Sequence, residues 1–380
     1  MTQQLRRLRG EHSFAPAIHC YPETQVSFNP SSISRVCVRA TNWLGDAVMS
    51  LPAIRAIRRI FPHAHIALVA RPWVADLYAR ERSIDRIVPY TAQKGLRAKR
   101  EFAALLRREH FDAAILLQNA FDAALLMWLA GIPERIGYNR DARRLLLTQA
   151  VPVPEPGEIP RHERFYYLEL LRRAGMIEGF ADIGPIRLEG LDEARAAGAA
   201  HLARSGISGP VVGVSPGAAY GNAKCWLPER FAAVAQNLAP SAVLLFGSPG
   251  ERPLCETVAE SLRRAGIDTR NLAGETTLRE FIDLAAACRL FLTNDSGAMH
   301  VSSALGVPTV AVFGATDDTT TGPTGPLARV VREHAECSPC LLRECPIDHR
   351  CMTAVTVERV TAVARDLWKE TPLWIPELKS

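Results

Sequence analysis

The chain lacks most of the signatures that settle a function class quickly. No stretch reaches the roughly 18 consecutive apolar residues of a membrane-spanning helix; the nearest, Ala113 to Ile132, is broken by Gln118, Asn119 and Asp122. Arg6, Arg7 and Arg9 are followed by no apolar segment, so a secretory signal is not expected. Gly-x-Gly-x-x-Gly is missing, which weakens a nicotinamide or flavin reading, and no Gly-Lys-Ser/Thr marks a Walker loop. There is no Asp-x-Asp to hold a metal against a sugar diphosphate, so no metal and no other cofactor is expected. Charge has little bias: 45 Lys and Arg against 40 Asp and Glu leave +5. That excess permits anionic substrates or a membrane surface and does not ask for nucleic acid. The 9 cysteines are an odd number in a chain too long to need disulfide staples, which fits a reducing cytoplasm.

What is present is a globular composition, 48% hydrophobic over 380 residues, long enough for two domains of roughly 100–200 residues each. After a loose extension over 1–32, Arg35 to Arg39 reads as a buried strand, followed by a loop holding Trp43 and Asp46 and a helix from Ala47 to Ile60. Strands are expected at Ile66 to Val69 and Phe111 to Leu117, the latter after a basic helix from Lys94 to Arg108. A helix over Arg161 to Ala174 carries His162, Arg164, Tyr166 and Tyr167 near its start. The Gly- and Pro-rich stretch Gly179 to Gly190 lacks periodicity, so domains are placed at 33–190 and 191–354, with a final helix and tail at 355–380. In the second domain, strands are expected at Val211 to Val214, Ala242 to Phe246, Leu290 to Thr293 and Thr309 to Phe313. Strands alternating with helices predict parallel, doubly wound α/β sheets, whose ligands bind at the carboxyl ends of the strands.

The loops at those ends carry the candidate chemistry. Thr293-Asn294-Asp295-Ser296-Gly297-Ala298-Met299-His300 passes from strand to helix. Asp295 and Ser296 suit an N-cap, Gly297 admits a ligand to the backbone, and the unpaired N–H groups of the first turn suit a phosphate. Gly306 is expected to close that helix. The plainer reading is a capped helix with a buried His300. Ser215 to Lys224 is Gly-rich with one lysine, a backbone nest fit for a diphosphate. Glu251 follows a strand, where a carboxylate accepts from ribose hydroxyls or is merely a first-turn residue. Asp46 opens a helix whose N-terminus would keep it ionised, as suits a general base; an ordinary first-turn Asp is the commoner case. The run Lys94 to Arg108 reads either as a solvated helix face or as a contact for an anionic partner.

Three stretches together, Arg39 to Asp46, Pro216-Gly217 through Ala223-Lys224-Cys225-Trp226, and Asn294-Asp295-Ser296-Gly297 through His300, resemble the ADP-heptose:lipopolysaccharide heptosyltransferases of glycosyltransferase family 9, nearest its heptosyltransferase II branch. The similarity runs in order from about Ser34 to Trp368. It implies a GT-B fold, two Rossmann-like domains facing a cleft, with the C-terminal helix crossing back to the N-terminal domain. It implies Asp46 as catalytic base and Lys224 on the donor phosphates. The donor site would comprise Gly217, Lys224, Glu251, Thr276, Thr277, Asp295, Ser296, Gly297 and His300. On the acceptor side fall Trp43, Asn119, His162 and Arg164. Some relatives have Thr at the position of Ser296, and many have Thr or Ser near Ala218 and Ala219, so backbone N–H groups would serve the phosphates here.

The implied reaction moves heptose from ADP-heptose, with inversion, to a heptose of the lipopolysaccharide inner core, on a heptosyl-Kdo-lipid A acceptor. The implied location is cytoplasmic, peripheral at the inner face of the inner membrane. The alternatives are another GT-B nucleotide-sugar enzyme, such as an epimerase, or a non-catalytic nucleotide-sugar or lipopolysaccharide binder. Cys337, Cys340, Cys345 and Cys351 cluster beside Asp348 and His349 with metal-like composition but irregular spacing. They are expected to pin the loop before the last helix, by metal or disulfide, away from the donor; free thiols remain the plain alternative.

Overall fold

The computed structural model describes residues 32–91, 95–180 and 183–370. The expected extension falls almost wholly outside them, as do Lys94 and the tail from 371 onward. Two six-stranded sheets account for the architecture. The first is built from β1 (Arg35–Arg39), β2 (His65–Ala70), β3 (Arg86–Pro89), β4 (Ala113–Leu116), β5 (Glu134–Tyr138) and β6 (Gln149–Val151). The second is built from β7 (Val211–Ser215), β8 (Ala242–Leu245), β9 (Asp268–Asn271), β10 (Leu290–Asn294), β11 (Thr309–Val312) and β12 (Ala328–Val331). The first runs β3-β2-β1-β4-β5-β6 and the second β9-β8-β7-β10-β11-β12, so the same order is used twice. Every pairing is parallel.

This is the Rossmann order, in which the chain reverses direction across the sheet between the first and fourth strands of each half. The interior strands show why they lie there. Ala113–Leu116, Ala242–Leu245 and Thr309–Val312 are buried at every residue, as strands covered on both faces must be. Helix starts follow local chemistry: Pro228 opens Pro228–Leu238, and Thr277 with Glu280 forms a reciprocal cap on Leu278–Ala286. Gly306, at φ 68°, follows the last turn of Gly297–Ala304 in the left-handed conformation.

Two expectations are corrected. The helix placed at Ala47 to Ile60 is two helices, Leu44–Met49 and Leu51–Ile60, meeting at Ser50. Pro52 has no N–H to bond back to Val48, so the ladder cannot run through. The C-terminal helix Val357–Glu370 does not return to the first domain within the described residues. It packs on the helix Pro228–Leu238 and on β10, β11 and β12. Its buried stripe, Val360, Ala364 and Leu367, joins the apolar core of the second sheet.

The sheets are joined elsewhere. The helix Leu44–Met49 packs on Gly297–Ala304 across the cleft. A side chain at Gly297 would lie 2.8 Å from Leu44 Cβ, and one at Gly45 would lie 2.9 Å from His300 Cδ2. Leu188 N donates to Ala304 O at 2.9 Å, and Glu163 N to Thr320 O at 2.9 Å. The two switch points therefore face each other.

Candidate active site

Four loops leave those switch points, after β1, β4, β7 and β10. Three of them wall a cleft of about 600 Å³, with further lining from Trp73 after β2 and from the loops that follow β8 and β9. From the first domain come Asn42, Trp43, Gly45, Asp46 and Trp73. From the second come Gly217, Tyr220, Lys224, Glu251, Thr276, Thr277, Asp295, Ser296, Gly297 and His300. The structure thus brings Asp46, Trp43 and every residue assigned to the donor into one cavity.

The second-domain wall is tightly tied. Asn294, fully buried, donates to Pro216 O at 2.7 Å and accepts from Trp226 N at 2.9 Å, so it locks the β10 loop to the β7 loop. Lys224 Nζ lies 2.6 Å from Asp295 Oδ2, which also accepts from Thr316 Oγ1 at 2.6 Å. An ammonium has three donors, so two remain for a ligand. Ser296 caps the helix Gly297–Ala304 by backbone geometry alone; its hydroxyl meets Thr293 Oγ1 at 3.0 Å. The first-turn N–H groups therefore stay open toward the cleft. Glu251 Oε2 accepts from Ser248 N at 2.7 Å and Ser248 Oγ at 2.8 Å. Its other oxygen crowds Gly217, where a Cβ would approach to 2.1 Å.

Asp46 faces this wall from the first domain. Burial raises its carboxyl to about 6, against the lowering effects of a hydrogen bond from Tyr167 and the charge of Lys224. The helix start was expected to hold it firmly ionised; desolvation wins instead, and a carboxylate near 6 is a stronger base than an ordinary one. Tyr167 is buried and its phenol is pushed well above its usual range, so it remains a donor to Asp46. Half-buried Glu163 is raised too, by burial first and then by the charge of Asp46. His300 is 6% exposed and burial lowers it to about 4, so it enters the cleft as neutral imidazole.

Three residues assigned to the acceptor lie outside the cleft walls. Asn119 donates to Tyr166 Oη at 2.7 Å and accepts from Arg143 Nη2 at 2.7 Å. His162 Nε2 lies 2.9 Å from Gly322 O, across the domain junction, and Arg164 Nη1 donates to Gly184 O at 2.7 Å. The sequence reading named Tyr167 on its helix without giving it a role, and passed over Glu163 and Trp73. The first two were legible only as neighbours of His162 on a helix, since nothing local says which face meets Asp46.

The four clustered cysteines are free thiols, and among the described residues no group of three His, Cys, Asp or Glu is placed to hold a metal ion. Their loop does not lie apart from the donor wall, which corrects the expectation. Ala223 N donates to Arg343 O at 3.1 Å, Tyr220 Oη to Leu341 O at 3.0 Å, and Cys345 N to Asn222 Oδ1 at 3.3 Å. It clasps the short turn Asn222–Lys224 that presents Lys224.

Two facing sheets of Rossmann order, with a glycine-rich loop and Lys224 on one side of the cleft and the raised carboxyl of Asp46 on the other, have the GT-B arrangement of nucleotide-sugar enzymes. Comparison with known proteins narrows this. Residues 99–350 match the model of glycosyltransferase family 9 (heptosyltransferase). Lipopolysaccharide heptosyltransferase 2 of Escherichia coli K12 is 31% identical over 78% of this chain and 88% of its own. Lipooligosaccharide heptosyltransferase 2 of Campylobacter jejuni is 29% identical over 89% of this chain and its whole length. The structure of E. coli ADP-heptose LPS heptosyltransferase II superposes with a TM-score of 0.75 at 28% identity, covering 88% of this chain and 99% of that one. The chain belongs to glycosyltransferase family 9, the heptosyltransferases, and is a glycosyltransferase.

Proposed function

We propose that this enzyme transfers heptose from ADP-heptose to a heptose hydroxyl of the lipopolysaccharide inner core, with inversion. The observation that carries the reading is the opposition of Asp46, raised to about 6, to the Lys224–Asp295–Gly297 wall across one cleft. In this reading residues 33–190 form the acceptor domain and 191–354 the donor domain. Asp46 accepts the proton of the attacking hydroxyl, and Tyr167 orients its carboxylate. Attack from the face opposite the leaving group inverts the anomeric carbon. Negative charge then gathers on the departing ADP. Lys224 and the open N–H groups at Ser296–Gly297 meet that charge, a fixed electrostatic complement that needs no rearrangement. Glu251 takes the ribose, Thr276 and Thr277 the adenine side, and Gly217 allows the nest to close on the phosphates. Trp43, 56% exposed at the cleft mouth, takes the acceptor sugar. Asn119, His162 and Arg164 act by holding the acceptor side in shape rather than by contact.

The acceptor is a lipid, so the enzyme works as a peripheral protein at the cytoplasmic face of the inner membrane. No helix among the described residues is long and apolar enough to cross a membrane. The decisive experiment is turnover of ADP-heptose with a core-truncated heptosyl-Kdo-lipid A, run beside ADP-glucose and UDP-sugars. Equal use of another donor, or none of ADP-heptose, rejects the reading.

A further inference from the structure

The loop that clasps the Lys224 turn carries a cation with no role so far. Arg343 is exposed, and its guanidinium has no ion pair or hydrogen bond among the described residues. The loop's other arginine, Arg350, is paired with Asp348 at 3.0 Å. The Arg343 backbone, by contrast, is held on both sides. Its carbonyl accepts from Ala223 N at 3.1 Å, and Cys345 N donates to Asn222 Oδ1 at 3.3 Å.

The side chain lies over Tyr220, with Cζ 5.1 Å from the ring centroid. Tyr220 is a wall residue of the cleft, 39% exposed. Its Oη donates to Leu341 O at 3.0 Å, which ties the ring to the same loop. Lys224 Nζ lies 4.9 Å from the same centroid. One ring therefore holds two cations beside the diphosphate nest, an ammonium in the cleft wall and a guanidinium on the loop behind it.

The local charge favours a second cation. Lys224 is paired with Asp295 at 2.6 Å, so the two cancel in net charge. The helix N–H groups at Ser296–Gly297 supply only partial charge. A nucleoside diphosphate brings several negative charges, and its sugar-linked phosphate gathers more as the bond to the sugar breaks. A cation on an exposed ring is held weakly, whereas a guanidinium fork on phosphate oxygens makes charge-assisted hydrogen bonds in parallel. Transfer from ring to phosphate is therefore favourable.

We propose that Arg343 is a further catalytic residue: when the donor binds, its guanidinium leaves Tyr220 and pairs with the sugar-linked phosphate. The inference rests on the nucleotide-diphosphate donor proposed above. The contact strengthens as the leaving group gains charge, so it acts on kcat as well as on binding. The clasp between loop and turn then fixes Arg343 and Lys224 relative to one another.

The test uses Arg343→Gln in the full chain, which alters an exposed side chain and leaves the clasping backbone in place. ADP and AMP are titrated calorimetrically against wild type and variant. The variant should bind ADP about tenfold more weakly, the scale of one charge-assisted hydrogen bond, and AMP within twofold of wild type. Turnover of ADP-heptose should fall at least tenfold, with the acceptor KM within twofold and the melting temperature unchanged. Glu344→Gln changes the charge by the same amount one residue along, at another exposed position, and should leave ADP affinity within twofold. Unchanged ADP affinity in Arg343→Gln, or an equal loss for AMP, overturns the proposal. So does a shift of equal size in Glu344→Gln, which would make the effect a general field rather than a contact. A wild type that binds ADP no better than AMP overturns it too. If the wild type binds ADP yet fails to use ADP-heptose, the proposed function falls, while the titration still decides the role of Arg343.

Discussion

Replacing Asp46 with Asn should make the protein more stable and nearly inactive. Its carboxyl is raised from 3.8 to about 6, so the folded state binds that proton more tightly than the unfolded chain does. Below about pH 4 both states are protonated and the group contributes nothing. Between about pH 4 and 6 the unfolded chain ionises first, and stability falls as pH rises; above about 6 the full penalty remains. A shift of about two units is worth about 3 kcal/mol, an upper figure because the side chain is not fully enclosed. An amide still accepts the hydrogen bond from Tyr167 and carries no charge to desolvate. The variant should therefore melt several degrees higher than the wild type at pH 8 and nearly level with it at pH 4. Its turnover should fall roughly 10²–10⁴-fold, the range for a lost general base. Wild-type kcat/KM should fall on the acid side with a midpoint near 6, where Asp46 takes up its proton. The assays are thermal melts at the two pH values and initial rates on a truncated lipid acceptor. A folded Asn variant within tenfold of wild-type turnover, or one that melts lower at pH 8, would refute the reasoning.

Lys224→Ala should weaken ADP roughly 10–100-fold, the scale of a charge-assisted hydrogen bond, and AMP much less; calorimetric titration showing equal losses would make Lys224 structural. Gly297→Ala places a Cβ 2.8 Å from Leu44 Cβ, so it should destabilise by about 1–3 kcal/mol, and Leu44→Ala should restore most of it in a double-mutant melt. Turnover should persist in excess EDTA, because neither Asp-x-Asp nor any described trio of ligands is there to hold a catalytic metal; abolition restored by magnesium contradicts this.

The two-sheet plan was legible because the interior strands announce themselves. Leu290–Thr293 and Thr309–Val312 are apolar or small throughout, and the loop residues between them have few other uses. The outer strands were not legible. Asp268–Asn271 and Ala328–Val331 sit at sheet edges, so only part of each is buried and their polar residues hide the pattern. Glu134–Tyr138 is paired on both sides, yet it too has a polar start, its first two residues being only half-buried. The donor wall could be assembled because its residues lie in short continuous motifs. The partners of Asp46 could not, since Tyr167 is more than a hundred positions away and meets it only through the packing of the helix Arg164–Arg173 on Leu51–Ile60. The return of the last helix was implied by the family resemblance alone, since an amphipathic stripe does not encode which domain it packs on.

The cysteine loop shows where local composition misleads. Four thiols suggested a clamp away from the donor, whose removal would lower stability more than donor affinity. Cys351 does have a packing role: it is 5% exposed and its Sγ lies 2.9 Å from where a side chain on Gly314 would begin. The loop's other face meets the turn that presents Lys224. Gly221 is the point of closest approach, since a Cβ there would lie 2.1 Å from the Arg343 carbonyl oxygen, which is backbone and cannot swing aside. Gly221→Ala must push the loop and the turn apart. The hydrogen bond from Ala223 N to Arg343 O goes with it, and Lys224 loses its fixed approach to the diphosphate. The expected result is coupled: a melting temperature lower by a few degrees together with an ADP affinity reduced severalfold, while AMP is held nearly as before. A drop in stability with unchanged ADP binding would restore the clamp reading and separate the cysteine loop from the chemistry.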